Sequence, residues 1–143
     1  MERETARIVN EGSGLSDPIS LALPSSPEYV LLARLVMGHA GRLAGLEPDE
    51  VYDLKLAVTE AVTNVIRHAS VESYQIEYKV LPSGVEVSVT DAGGGFSVAD
   101  LTGESGEHGG FGLTVIRNLV DELVLDSTKG GGTRLKMIRR ARR

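Results

Sequence analysis

The chain contains no cysteine and no tryptophan, and only 4% of its residues are aromatic. Without thiols there is no disulfide, no thiolate nucleophile and no cysteine-based zinc site, which suits a reducing compartment. Few aromatics leave the core to Leu, Val, Ile and Ala. No apolar run approaches the ~18 residues of a membrane-crossing helix, and the N-terminus lacks a signal-peptide core. A cytoplasmic, soluble protein with no membrane partner is therefore expected. Excess positive charge is also missing. The formal net charge is −5, and the tail Arg139-Arg140-Ala141-Arg142-Arg143 contributes +4, leaving −9 on residues 1–138. So acidic a body argues against direct nucleic-acid binding. The basic C-terminal tail, residues 139–143, reads as a solvated end.

What is present suits one globular domain. Hydrophobic residues make up 41% of 143, enough to build a real core. Residues 1–16 mix charges with Gly12-Ser13-Gly14 and read as a flexible N-terminal arm, with the folded domain over 17–138. Ile19 to Leu23 alternates and is closed by Pro24, which predicts a strand. Ser25 or Ser26 then caps a helix with Pro27 in its first turn, running through Leu31, Leu32, Leu35, Val36 and Ala40 to about Gly41–Gly45. Glu47-Pro48-Asp49-Glu50 opens a second helix, its acids favourable to the dipole, which continues through Leu54, Val58, Ala61, Val65 and Ile66.

Period-two patterning takes over next. Tyr74, Ile76, Tyr78 and Val80 alternate with Ser73, Gln75, Glu77 and Lys79, and after Pro82-Ser83-Gly84 the pattern resumes at Val85, Val87 and Val89. Residues 92–112 hold eight glycines and predict an irregular, mobile loop. A helix from Leu113 to about Asp121 and strands at Leu123–Ser127 and Thr133–Ile138 complete the order βααββαββ. That order predicts an α+β fold, a two-layer α/β sandwich with helices on one face of a mixed, mostly antiparallel sheet.

Three segments carry candidate chemistry. In Glu60-Ala61-Val62-Thr63-Asn64-Val65-Ile66-Arg67-His68, Glu60 and Asn64 share one helix face, and Arg67 and His68 extend it. An isolated E-x-x-x-N pattern is most often a solvated face. The balance shifts because Asp91-Ala92-Gly93-Gly94-Gly95 follows at a strand end, where ligand sites of open sheets lie. A carboxylate there can accept a hydrogen bond from an exocyclic amine such as adenine offers, and the glycines let backbone approach a ligand. Gly109-Gly110-Phe111-Gly112-Leu113 then opens a helix, whose free N–H groups attract anions. It is neither a Walker loop, since no Gly-Lys-Ser/Thr occurs, nor a dinucleotide fingerprint.

Taken in order, Glu60–His68, Asp91–Gly95 and Gly110–Leu113 resemble the three boxes of the GHKL (Bergerat) ATP-binding superfamily, and Gly132-Thr133 resembles its last box. The short chain, the E-A-V-T-N string and the His68-Ala69 that follows are similar to the anti-sigma factor serine kinases, over about residues 18–138. The resemblance implies ATP and Mg²⁺ as cofactors. It implies Asn64 as the Mg²⁺ ligand and Glu60 as the catalytic base or the residue that orients the attacking serine. Asp91 would bind the adenine amine, supported by Thr133. Gly93 and Gly95 would shape the pocket, Gly110, Gly112 and Leu113 would meet the phosphates, and Arg67 would contact phosphate. The lid from Ser97 to His108 departs from the family in holding no Lys or Arg.

The function so implied is a cytoplasmic anti-sigma factor that is also an ATP-dependent protein serine kinase. It would sequester an alternative sigma factor as a homodimer and phosphorylate an anti-sigma factor antagonist, with Arg34 on the first helix contacting partners. The alternatives are a related switch kinase in a stress-sensing complex that binds no sigma factor, and an ATP-responsive binding module.

Overall fold

Alternation of apolar and polar residues builds a sheet, and helical spacing of apolar residues builds what covers it. The computed structural model describes residues 7–9, 17–93, 111–128 and 131–142. Its strands are β1 (Arg7–Val9), β2 (Ile19–Pro24), β3 (Ser73–Leu81), β4 (Gly84–Asp91), β5 (Glu122–Thr128) and β6 (Gly132–Arg140), in the spatial order β1-β2-β3-β4-β6-β5. Every pairing is antiparallel, so the mixed character allowed by the sequence is not used. The helices are α1 (Val30–Leu43), α2 (Pro48–His68) and α3 (Phe111–Leu119).

The sheet is two-faced. On β3, Tyr74, Ile76 and Tyr78 are buried while Ser73, Gln75, Glu77 and Lys79 face water, as period-two patterning demands. Val85, Val87 and Val89 of β4 join them, with Leu135 and Met137 from β6. The three helices among the described residues cover this one face. The central helix, α2, packs Leu54, Ala57, Val58, Ala61, Val62 and Val65 against the sheet and meets α1 on one side and α3 on the other. Tyr78 is fully buried, and its hydroxyl donates to the Ala33 carbonyl at 2.8 Å, which ties β3 to α1. Among the described residues no helix is long and apolar enough to cross a membrane.

Helix starts differ from the sequence reading in detail. Ser26 sits at a cap position with extended backbone, but its hydroxyl bonds the Glu28 side chain and makes no cap to the backbone. Pro27–Tyr29 form a 3-10 turn that runs into α1. The second helix has a reciprocal cap instead: the Glu47 N–H donates to Glu50 Oε1 at 2.8 Å, and the Glu47 side chain accepts from the backbone of Glu50. Strand β1 falls within the stretch read as a loose arm. Three residues are too short to show a period, so nothing local announces it.

The basic tail is a correction. Strand β6 extends to Arg140, and Arg139, Arg140 and Arg142 are all paired, although the last two stay exposed. Arg139 is buried, and its guanidinium donates to Asp53 Oδ2 at 3.0 Å and to the Leu119 carbonyl at 2.7 Å, joining β6, α2 and the end of α3. Arg140 pairs with Glu122 at 2.5 Å, and Arg142 pairs with Asp49. The Arg142 N–H donates to Glu50 Oε2 at 2.8 Å, so this fully buried carboxylate is satisfied by two backbone N–H groups, which hold its pKa below the ordinary value. These contacts link positions far apart in sequence, and the sequence alone shows only a run of like charge.

A depressed folded-state pKa means that Glu50 contributes stability above the ordinary glutamate range and loses it as pH falls through that range. Glu50→Gln keeps the shape but turns an NH₂ toward an N–H donor. Urea unfolding at neutral pH should show a loss of about 1–3 kcal/mol. The gap between variant and native chain should close as the pH drops below 4.5. A pH-independent difference would show that the charge of Glu50 is not what matters.

Candidate functional site

Strand β4 ends at Asp91, and β6 begins beside it, with Asp91 opposite Thr133 in the register. Two glycines make this join possible. Gly132 has φ +87°, and a side chain there would strike the Asp91 carbonyl and Ala92, so backbone passes directly beneath the acid. At Gly93 a Cβ would lie 2.6 Å from the Ala69 carbonyl oxygen, 2.9 Å from Val71 and 3.0 Å from Asp91 Oδ1, leaving no room for one. The end of α2 thus closes on the turn after β4, after Ser70 reverses the chain with φ +54°.

The cleft beside this join is lined by Ala61, Asn64 and Val65 of α2, Val89 and Asp91 of β4, and Leu113 of α3, together with Leu125, Thr133 and Leu135 of the β5–β6 hairpin. Its interior volume is only about 20 Å³, so its walls stand close together in the ligand-free chain. The walls are almost wholly aliphatic, and the polar groups are three: an amide, a carboxylate and a hydroxyl. Asp91 is only 5% exposed. The Gly93 N–H donates to its Oδ1 at 2.8 Å, and among the described residues no cation pairs with it. Burial pushes its pKa above the ordinary carboxylate value, opposed by that one hydrogen bond. Aliphatic walls with one buried acceptor have the chemistry to take a heteroaromatic base that presents an amine. Thr133 is buried too, and its hydroxyl lies 3.0 Å from that of Ser127 across the hairpin.

The structure brings Asn64, Asp91, Leu113 and Thr133 together, and Gly93 shapes the same corner. Glu60 lies one helical turn before Asn64 on α2, half-buried and outside the lining. Arg67 is exposed on the last turn of α2, also outside it. Gly112 is the second residue of α3. Gly95, Gly110 and the lid from Ser97 to His108 lie outside the described residues. Arg34 is half-buried on α1, across α2 from the cleft. Ser127 escaped the sequence reading. Only the register of the β5–β6 hairpin, with Ser127 opposite Thr133, puts it beside the site.

Among the described residues no group of three or more His, Asp or Glu side chains could hold a metal. A single amide oxygen from Asn64 still fits Mg²⁺, which keeps its waters and takes phosphate oxygens in place of a protein cage.

A family model for the histidine kinase-like ATPase domain matches residues 23–139. The chain belongs to the histidine kinase-like ATPase family. Within that family it is 34% identical over 131 residues to a Listeria innocua protein named serine-protein kinase RsbW, covering 81% of this chain and 83% of the relative. A Staphylococcus aureus protein of the same name is 31% identical over 130 residues, at 80% and 82% coverage. Among solved structures, the RsbU and RsbW domains of a Mycobacterium tuberculosis protein share the fold with a TM-score of 0.65 and 19% identity. That match covers 86% of this chain and 32% of the other. The histidine kinase domain of a blue-light activated kinase from Erythrobacter litoralis matches with a TM-score of 0.55 over 92% of this chain and 66% of that one, also at 19% identity.

Asp91→Asn removes the charge and keeps the shape. In the free protein a raised pKa makes the ionised acid a net cost, its neutral form favoured below the ordinary value and lost as pH rises through the raised one. The variant should therefore fold at least as well as the native chain at pH 7. ATP and ADP affinity, measured by calorimetry, should fall about 10–100-fold. Native affinity should also weaken as pH drops through the Asp91 pKa, a trend absent in the variant. Unchanged affinity in the variant would remove Asp91 from the site.

Proposed function

We propose that this chain is an ATP-dependent protein serine kinase and anti-sigma factor. It acts in the cytoplasm as a homodimer, holds an alternative sigma factor inactive, and phosphorylates a small antagonist that competes for the same surface. The observation that carries the reading is the convergence of Asn64, Asp91, Leu113 and Thr133 on one aliphatic cleft, in a chain 34% identical to a named serine-protein kinase.

Phosphoryl transfer asks for positioning and charge neutralisation more than covalent chemistry. Asp91 accepts from the adenine amine while Val89, Leu125 and Leu135 exclude water from the ring, and Thr133 steadies the far side. Asn64 would hold Mg²⁺, which neutralises the phosphate charge when bound. The start of α3 points its free N–H groups at anionic oxygens. Glu60, one turn from Asn64 and nearer solvent, faces an incoming protein hydroxyl. As the serine oxygen bonds to the γ-phosphorus, the bond from phosphorus to the bridging oxygen breaks, ADP leaves, and the serine proton passes to the Glu60 carboxylate. The exposed Leu31 and Leu35 flank Arg34 on α1, which supports that helix as the surface for protein partners.

Two substitutions separate the parts of this reading. Glu60→Gln should leave ATP binding and partner capture near normal while transfer of labelled phosphate to an antagonist serine drops by roughly 10²-fold or more. Asn64→Ala should abolish the Mg²⁺-dependent part of ATP affinity. If the native chain binds sigma factor in an ATP-dependent way yet labels no candidate antagonist, it is a binding module and not a kinase.

A further inference from the structure

A second cavity lies on the other side of α2, in the elbow where α1 ends and α2 begins. Leu46, Pro48 and Val51 form its apolar floor, Tyr52 one wall, and Arg42 and Lys55 its rim. Its charged residues are both cations, although residues 1–138 carry −9.

The rim brings two like charges near each other. Lys55 reaches from α2 across α1 at Gly38. The position a Cβ would take on Gly38 lies 2.8 Å from Lys55 Cε, 3.2 Å from Lys55 Nζ and 3.4 Å from Arg42 NH1. The ammonium and the guanidinium therefore stand no further apart than those last two distances combined. Among the described residues neither has an ion-pair partner, whereas Arg139, Arg140 and Arg142 all do. Arg42 in the last turn of α1 is favourable to the helix dipole. That does not account for Lys55, which comes from another helix and meets a cation when it arrives. Bringing unpaired like charges together costs free energy that an anion between them would reverse.

We infer that the α1–α2 elbow binds a small amphipathic anion, with a carboxylate or phosphate head held by Lys55 and Arg42 over Gly38 and an apolar body against Leu46, Val51 and Tyr52. The cavity has a volume of about 320 Å³, which suits a compact ligand. Tyr52 is 56% exposed, leaving an aromatic face for a ring to stack on. This site shares no lining residue with the nucleotide cleft, and the inference does not rest on the kinase reading.

The test is amide-resolved NMR titration of the full chain, with and without ADP. The probes are phenylacetate, phenyl phosphate, inorganic phosphate and the uncharged phenylacetamide. Both aromatic anions should shift the Gly38 and Tyr52 amides saturably, with ADP present or absent. The tighter of the two assigns the head group. Phenylacetamide should bind about tenfold more weakly or worse, and inorganic phosphate should perturb Gly38 but not Tyr52. Lys55→Met keeps the apolar stem and should cost the anions a similar factor.

Gly38→Ala is the sharper variant. It puts a methyl 2.8 Å from Lys55 Cε, so the flexible ammonium must move out of its place beside Arg42, while the change favours the helix. It should hold or raise the melting temperature and still lose anion binding. Absence of saturable shifts at millimolar probe, equal binding of phenylacetamide, or shifts confined to Asp91 and Thr133 would each overturn the inference.

Discussion

A helix of 21 residues that buries eight of them cannot roll on its sheet without unpacking Leu54, Val58, Val62 and Val65 at once. Truncating one such side chain costs about 2–5 kcal/mol, so the rotational setting of α2 is held far more firmly than any polar contact could hold it. That setting is what gives Asn64 its aim. The residues at positions 61, 64 and 65 face the cleft because those at 54, 58 and 62 face the sheet. The candidate chemistry is thus built on the edge of a core helix, where packing supplies the precision.

Both ends of α2 are fixed by other means. At its start, Glu50 is shut away from water and gathers two backbone N–H groups, one from its own helix cap and one from the C-terminal tail. At its end, Ala69 abuts Gly93, so the helix terminus and the turn after β4 set each other's position. Arg139 adds a third tie by holding the last carbonyl of α3 to Asp53 of α2. Helix α3, whose first turn borders the cleft, is therefore braced at the opposite end from the site.

Much of this was legible in the sequence. The alternation at Tyr74–Val80 and Val85–Val89 places the hairpin and its buried face directly, because a strand's two faces differ in the residues themselves. The spacing of Leu54, Val58, Ala61 and Val65 does the same for α2. Asp91 and Asn64 could be paired only through the order of the boxes, a resemblance and not a geometric argument. What stayed hidden depends on contacts between distant positions. Ser127 needs the hairpin register, Arg142 needs Glu50 some ninety residues earlier, and β1 is too short to show any period. The tail illustrates the rule well. Arg139, Arg140 and Arg142 read as solvated because their acidic partners lie on α2 and β5, which local sequence cannot bring near.

The two cavities divide α2 between them on opposite physical terms. Beside the ends of β4 and β6, the cleft holds a carboxylate that burial has deprived of water and that no cation among the described residues neutralises, which suits the proposed contact with a neutral amine. Toward α1, the elbow holds two cations with no acid, so it is poised to receive negative charge. Neither arrangement favours the empty protein. The acid carries a desolvation cost that packing elsewhere offsets, and the two cations present a local charge opposite in sign to that of the body. Asp91 of β4 and the pair Arg42 of α1 and Lys55 of α2 thus put charge beside a well-packed helix, where sites that bind tend to cluster.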